Sequence, residues 1–130
     1  MEEKTVIHHV AFQYADRKKA EIFFTKVLEL VLKKTFTLSK ELTNEIFGIN
    51  EKVIVDVYAN DTSYFEIFIT DRITKYNYDH ISIEIEKKEE FIKRCKKYDI
   101  KPMFVKKGEK KILFIKDYAG NLFEIKERQT

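Results

Sequence analysis

The clearest pattern in the chain is the alternation over residues 79–86, where Ile81, Ile83 and Ile85 take one parity and His80, Ser82, Glu84 and Glu86 take the other. Successive side chains of a strand point to opposite faces, so this stretch predicts a strand with one apolar and one polar face. The same period predicts strands at 63–70, with Phe65, Ile67 and Ile69 on one side, and at 121–127, with Phe123 and Ile125. Residues 5–14 read as a further strand, with Val10 and Phe12 facing inward. Helical spacing appears twice. Ala20, Phe23, Phe24, Val27, Leu28 and Val31 predict an amphipathic helix over 17–32 behind Asp16 as N-cap, and Phe91, Ile92, Cys95 and Tyr98 predict one over 87–98. Shorter apolar runs predict strands at 33–38, 52–58, 102–106 and 111–116. The stretch 40–50 suits a short helix or a loop, residues 71–77 a polar connection, and Asp117-Tyr118-Ala119-Gly120-Asn121 a turn.

The order is thus strand, helix, three strands, and then the same again. Residue identities follow the layout: a His opens each half, at His9 and His80, and the tripeptide Phe-Glu-Ile recurs at 65–67 and 123–125 in each closing strand. An internal repeat of this kind predicts an α+β fold of two tandem βαβββ modules, about 5–70 and 78–128, whose curved mixed sheets surround a shared cavity within one domain spanning 1–130.

Composition narrows the class without naming a partner. With 44% hydrophobic and 36% charged residues the chain is globular, and 3 Gly with 1 Pro leave little room for flexible linkers. No apolar run is long enough to span a membrane, and Met1-Glu2-Glu3-Lys4 has none of the features of a signal peptide. A single cysteine, Cys95, excludes an internal disulfide framework, and its place on an apolar helical stripe suits a core residue. These features predict a cytoplasmic protein with no membrane partner. The net charge of +3 is nearly balanced. The lysines of 87–97 and 106–111 suit solvated faces, and no aromatic–basic motif accompanies them, so no nucleic-acid partner is expected.

The polar face carries the chemistry. If the Ile and Phe rows pack inward, His9, Glu66, His80 and Glu124 all lie on the opposite sheet face. A half-buried carboxylate is costly unless paired, hydrogen-bonded or bound to a metal. Two imidazoles and two carboxylates form a mixed N/O donor set that suits a divalent ion such as Zn, Ni, Co, Mn or Fe. His8 neighbours His9, and strand alternation sends the two rings to opposite faces, so one of them joins the set.

These residues resemble the vicinal oxygen chelate superfamily, which includes glyoxalase I, methylmalonyl-CoA epimerase, extradiol dioxygenases, fosfomycin-resistance enzymes and bleomycin-binding proteins. The likeness covers nearly the whole chain. It rests on the first-strand His9-Val10-Ala11 pattern and on the ending Asp117-Tyr118-Ala119-Gly120-Asn121-Leu122-Phe123-Glu124, which is similar to the family's Asp-Pro-Asp-Gly-Asn ending with a Glu three residues later. Tyr118 and Ala119 replace the usual Pro and Asp. Glyoxalase I relatives place His, Glu, His and Glu at the positions of His9, Glu66, His80 and Glu124, so the resemblance implies one divalent metal ion (Ni, Co, Zn or Mn) on these four residues. It implies a lactoylglutathione-lyase-like enzyme that isomerises a small hydroxycarbonyl or hemithioacetal through a metal-stabilised enediolate, with Glu124 or Glu66 as the base and Glu124 preferred. It also implies a homodimer acting on a small-molecule substrate. Alternatives within the resemblance are another metal-dependent member, an epimerase or dioxygenase, and a metal-free sequestering protein of bleomycin-resistance type. Two positions depart from glyoxalase I. Gln13 stands where an Arg contacts glutathione, and Thr70 stands where an Asn is common.

Overall fold

A computed structural model describes residues 7–72 and 79–128 of the chain. The part of the 5–14 strand before residue 7, and the 71–77 connection from residue 73, lie outside the described residues. Among the described residues, two four-stranded mixed sheets and three helical segments form the α+β fold expected from the repeat. The first sheet contains β1 (Val10–Tyr14), β2 (Val31–Leu38), β3 (Val53–Ala59) and β4 (Tyr64–Ile69), in the order β1-β4-β3-β2. The second contains β5 (His80–Ile85), β6 (Met103–Lys107), β7 (Lys110–Lys116) and β8 (Leu122–Glu127), in the order β5-β8-β7-β6. In each sheet the opening strand pairs in parallel with the closing strand, β1 with β4 and β5 with β8, and the other pairings are antiparallel. The βαβββ order is therefore present twice.

The chain divides into two compact units, one of residues 1–17 and 30–72 and the other of 18–29 and 73–130. In the first unit Val55, Val57 and Ile67 are fully buried and Tyr14 nearly so. Asp56 is buried on the face opposite Val55 and Val57. There it accepts two hydrogen bonds from Arg17, Nε to Oδ2 at 2.7 Å and Nη2 to Oδ1 at 2.8 Å, and one from the Thr35 hydroxyl at 2.6 Å. Burial alone raises the pKa of that carboxyl. The hydrogen bonds from Arg17 and Thr35 and the guanidinium charge outweigh it and hold the group below the usual 3.8.

The first helix, α1 (Arg17–Ile22), lies in the second unit from Lys18 onward and continues as a π-helical turn, Phe23–Val27, closed by the Leu28 N–H on the Phe23 carbonyl at 3.0 Å. Phe23, Phe24 and Val27 are fully buried, as are Phe91 and Cys95 of α3 (Lys88–Lys97) and Ile115 and Phe123 of the sheet. The Phe23 ring lies 5.4 Å from that of Phe123 and edge-on to Tyr118 at 6.2 Å. Cys95 is a core residue, and burial pushes its thiol up to about 11, too high for a reactive thiolate.

Two expectations change. The helix expected over 17–32 ends at Val27, because Glu29 takes a left-handed conformation (φ 59°) and Val31 opens β2 by pairing with Ala59. The apolar positions Leu28 and Val31 continue helical spacing, but a left-handed residue cannot extend a right-handed helix. The first strand also starts at Val10 rather than at residue 5; residues 7–9 are described and lie outside it.

The ambiguous stretch 40–50 resolves into α2 (Lys40–Phe47). Ser39 caps it, its Oγ accepting the Leu42 N–H at 3.1 Å. Gly48 ends it in a left-handed conformation (φ 71°), its N–H donating to the Asn44 carbonyl at 2.9 Å. Ser39→Ala is expected to destabilise the protein by about 1 kcal/mol, seen as a lower midpoint in equilibrium urea unfolding.

Candidate metal centre

Each unit builds one His–Glu pair by the same local logic. The strand that carries the Glu is entered through an Asx turn. In the first unit the Asn60 side-chain oxygen accepts the N–H groups of Thr62 and Ser63 at 2.9 and 2.8 Å. In the second, Asp117 Oδ1 accepts those of Ala119 and Asn121 at 3.0 and 2.8 Å, and its Oδ2 takes the Asn121 amide at 2.8 Å. Gly120 supplies the left-handed residue of that turn (φ 86°). With the turns set, alternation buries Phe65 and Ile67 in β4 and Phe123 and Ile125 in β8, and Glu66 and Glu124 face the other way.

The parallel pairings then place the imidazoles. Glu66 lies opposite Ala11, two residues beyond His9, and Glu124 lies opposite Ser82, two residues beyond His80. The offset is the same in both units, so the repeat read in sequence is a repeat of geometry. His9 Nε2 stands 3.5 Å from Glu66 Oε1, and His80 Nε2 stands 3.8 Å from Glu124 Oε1. The two carboxylates are alike in exposure, 19% and 20%, against a half-exposed imidazole in each case.

These separations bear on what the pairs can hold. An N–H···O hydrogen bond spans about 2.7–3.2 Å, so both pairs are too long to be well hydrogen-bonded. Two donors each about 2.1 Å from one divalent ion lie about 3.0–3.4 Å apart at right or tetrahedral angles. The pairs therefore fit co-ligands that close by a few tenths of an ångström around an ion. Each pair supplies two donors, and among the described residues no three His, Cys, Asp or Glu cluster together.

Neighbouring groups distinguish the two pairs. Lys126 Nζ sits 3.3 Å from Glu124 Oε2, so that carboxylate has a second, cationic partner on its own strand. On the other side, His8 does not point away from His9 as strand alternation suggested. Both precede β1, and their Nδ1 atoms meet at 2.9 Å with the rings edge to face. When His9 Nδ1–H is the donor in that contact, the lone pair of His9 lies on Nε2, toward Glu66.

One step along β1 and β4 from the first pair opens a cavity of about 230 Å³. Gln13 and Thr70, the two positions that depart from glyoxalase I, both line it, together with Phe68, Val53, Phe47 and Ile49. The Thr70 hydroxyl donates to Glu51 Oε1 at 2.8 Å, and its N–H donates to the Tyr14 carbonyl at 2.9 Å. Sequence reasoning missed Phe47, Ile49 and Glu51 because they fall within or just beyond the ambiguous 40–50 stretch. The available signal was a Ser and a Gly spaced as the two caps of one short helix. It also assigned no role to Lys126, whose partner Glu124 is visible only as an i, i+2 neighbour on one strand face.

No protein-family model matches the chain, and no curated protein does. Solved structures do match across nearly its full length. A glyoxalase family protein from Bacillus cereus superposes with a TM-score of 0.75 at 17% identity, covering 100% of this chain and 99% of that one. The fosfomycin resistance protein FosX from Listeria monocytogenes gives 0.72 at 13% identity, covering 98% and 96%. A glyoxalase family protein from Enterococcus faecalis gives 0.71 at 19%, covering 92% and 95%. Among the described residues no helix is long and apolar enough to cross a membrane. Two mixed sheets in βαβββ order, matched from end to end by glyoxalase-family and FosX structures, give this chain the fold of the vicinal oxygen chelate superfamily.

Proposed function

We propose that the protein is a divalent-metal-dependent enzyme of glyoxalase I type, a lyase or isomerase acting on a small hydroxycarbonyl or hemithioacetal. The observation that carries this reading is the pair of His–Glu sets, His9 with Glu66 and His80 with Glu124, held at the same strand offset and near co-ligand spacing in both units. In this reading the two pairs supply the donors for one Ni, Co, Zn or Mn ion, joined within one chain or across the homodimer. The ion supplies Lewis acidity to adjacent oxygens of a substrate. A point mutant of FosX from Listeria monocytogenes, solved with Mn(II) and 1S,2S-dihydroxypropylphosphonic acid, supports a metal and a small oxygen-rich ligand on this fold.

The chain's own residues then divide the work. Glu124 takes the proton from the carbon beside the carbonyl, because a base needs a carboxylate that can turn toward the substrate. The resemblance prefers Glu124 over Glu66 in this role; in the structure Lys126 Nζ lies 3.3 Å from Glu124 Oε2. Gln13 provides no cation where glyoxalase I carries its glutathione-contacting Arg, which speaks against glutathione as the thiol. The same resemblance supports a homodimer, for which sedimentation equilibrium is expected to give twice the chain mass of 15.6 kDa.

The test is metal content. Protein purified without a nickel column, stripped with chelator and titrated with Mn(II), is expected to bind one ion per four-residue set. His80→Ala is expected to weaken binding at least about tenfold, since even outer partners of metal ligands are worth that much. Equal affinity in the two proteins would remove the metal assignment. The FosX likeness favours a second reading, another metal-dependent activity on the same donors. Metal binding without proton exchange at a hydroxycarbonyl carbon would support it.

A further inference from the structure

The cavity of the first unit carries information about the substrate's body. Its apolar wall is built from Phe68 and Val53 of the sheet and from Phe47 and Ile49, which α2 and the residues after it bring over the same face. Phe47 and Phe68 meet edge to face, 5.5 Å between centroids at 81°. Both rings line the cavity, and aromatic rings favour offset-stacked or edge-to-face packing against a further ring. The polar wall is short: Gln13, the Thr70–Glu51 hydrogen bond, and Arg72. One carboxylate and one guanidinium leave this wall balanced, so it does not select a multiply charged ligand. Size sets a second limit. An apolar cavity of about 150 Å³ takes a benzene molecule. This one, about 230 Å³ and open on the side of the half-exposed Phe47, covers a single ring with a few further atoms.

We propose that this cavity binds the body of the substrate, and that the body is a single aromatic ring or a branched hydrocarbon of similar size carrying one uncharged polar group. The cavity adjoins Glu66 through Ala11 and Phe68, so a ligand seated there extends along the strands toward the His9–Glu66 pair. Its connection to a metal rests on the function proposed above; its occupancy by a ring does not.

Two measurements separate the two ideas. The first uses p-cresol and the metal-free protein, followed by amide NMR. Saturable shifts centred on Gln13, Ile49, Phe68 and Thr70, lost in Ile49→Trp, are expected. Ile49 lies between α2 and β3, where a larger side chain fills the cavity with little demand on either element, and Phe68→Leu serves if that variant does not fold. No shifts at these residues would overturn the proposal. The second compares benzohydroxamate with acetohydroxamate in the presence of Mn(II). Both chelate through adjacent oxygens, and only one carries a ring. Benzohydroxamate is expected to bind at least tenfold more tightly, with the advantage abolished by Ile49→Trp. Equal, Mn(II)-dependent affinity would overturn the cavity's role and leave the metal site standing. p-Cresol shifts without Mn(II)-dependent binding of either hydroxamate would support the cavity and overturn the metal site.

Discussion

Glu124→Gln is expected to leave the protein folded and most of its metal bound while lowering proton abstraction by about 100- to 10,000-fold, the range that a positioned general base contributes. The substitution is close to isosteric and keeps one carbonyl oxygen as a donor, so the strand face and the His80 neighbourhood persist. What it removes is the basic oxygen and the charge that meets Lys126 at 3.3 Å. Solvent deuterium uptake at the methylene of 2-hydroxyacetophenone, followed by NMR with Mn(II) present, reads the step directly and needs no thiol. Glu66→Gln is the control. It is expected to reduce metal affinity more than exchange at saturating metal, because in this reading Glu66 serves as a ligand and Glu124 as the base. If Glu124→Gln exchanges at the normal rate, Glu124 is not the base. A reversed pattern would move that role to Glu66.

Arg17→Ala is expected to destabilise the protein by about 2–3 kcal/mol near neutral pH. Removing one partner of a buried pair costs about 3–5 kcal/mol. The low end applies because the Arg17 side chain is about half exposed and water screens its share. The pH dependence identifies the cause. In the intact protein the Asp56 carboxyl is held below 3.8, so its contribution is present above that value and is lost as pH falls through the lowered one. Without the guanidinium, burial dominates and favours the neutral acid, so the variant gains relative stability on acidification. The gap between the two urea midpoints is expected to be widest near pH 6–7 and to shrink toward pH 3. A gap constant over that range would mean that Arg17 acts through packing alone.

How much of this was legible beforehand follows from the range of the forces involved. The faces of β4, β5 and β8 were readable because alternation is a property of the backbone itself, and the Ile and Phe rows mark the more buried side. The turn at Asp117–Asn121 was readable for the same local reason, since an Asx side chain bonds its own following N–H groups. Helix α1 shows where local pattern stops being sufficient. Leu28 and Val31 fit its apolar stripe, yet pairing of Val31 with Ala59 claims the second of them for a strand. Nothing within a few residues of position 29 announces that competition.

The amino-acid sequence by itself determined the repeat, the α+β class, and the placing of Glu66, His80 and Glu124 on the polar faces of their strands; His9 was expected on the first strand and precedes it. Each of these depends on residues close together in the chain. Only the tertiary structure decided that β1 runs parallel to β4 and β5 to β8, with the offset that sets each imidazole 3.5–3.8 Å from its carboxylate. It also decided that Phe23 and Phe24 of the π-helical turn after α1 are buried in the unit that holds the second sheet, and that α2 brings Phe47 to Phe68 beside a cavity. These outcomes depend on contacts between segments distant in sequence. A slip of one residue would turn every side chain of a strand to the other face, and the packing of the whole unit fixes the register against it.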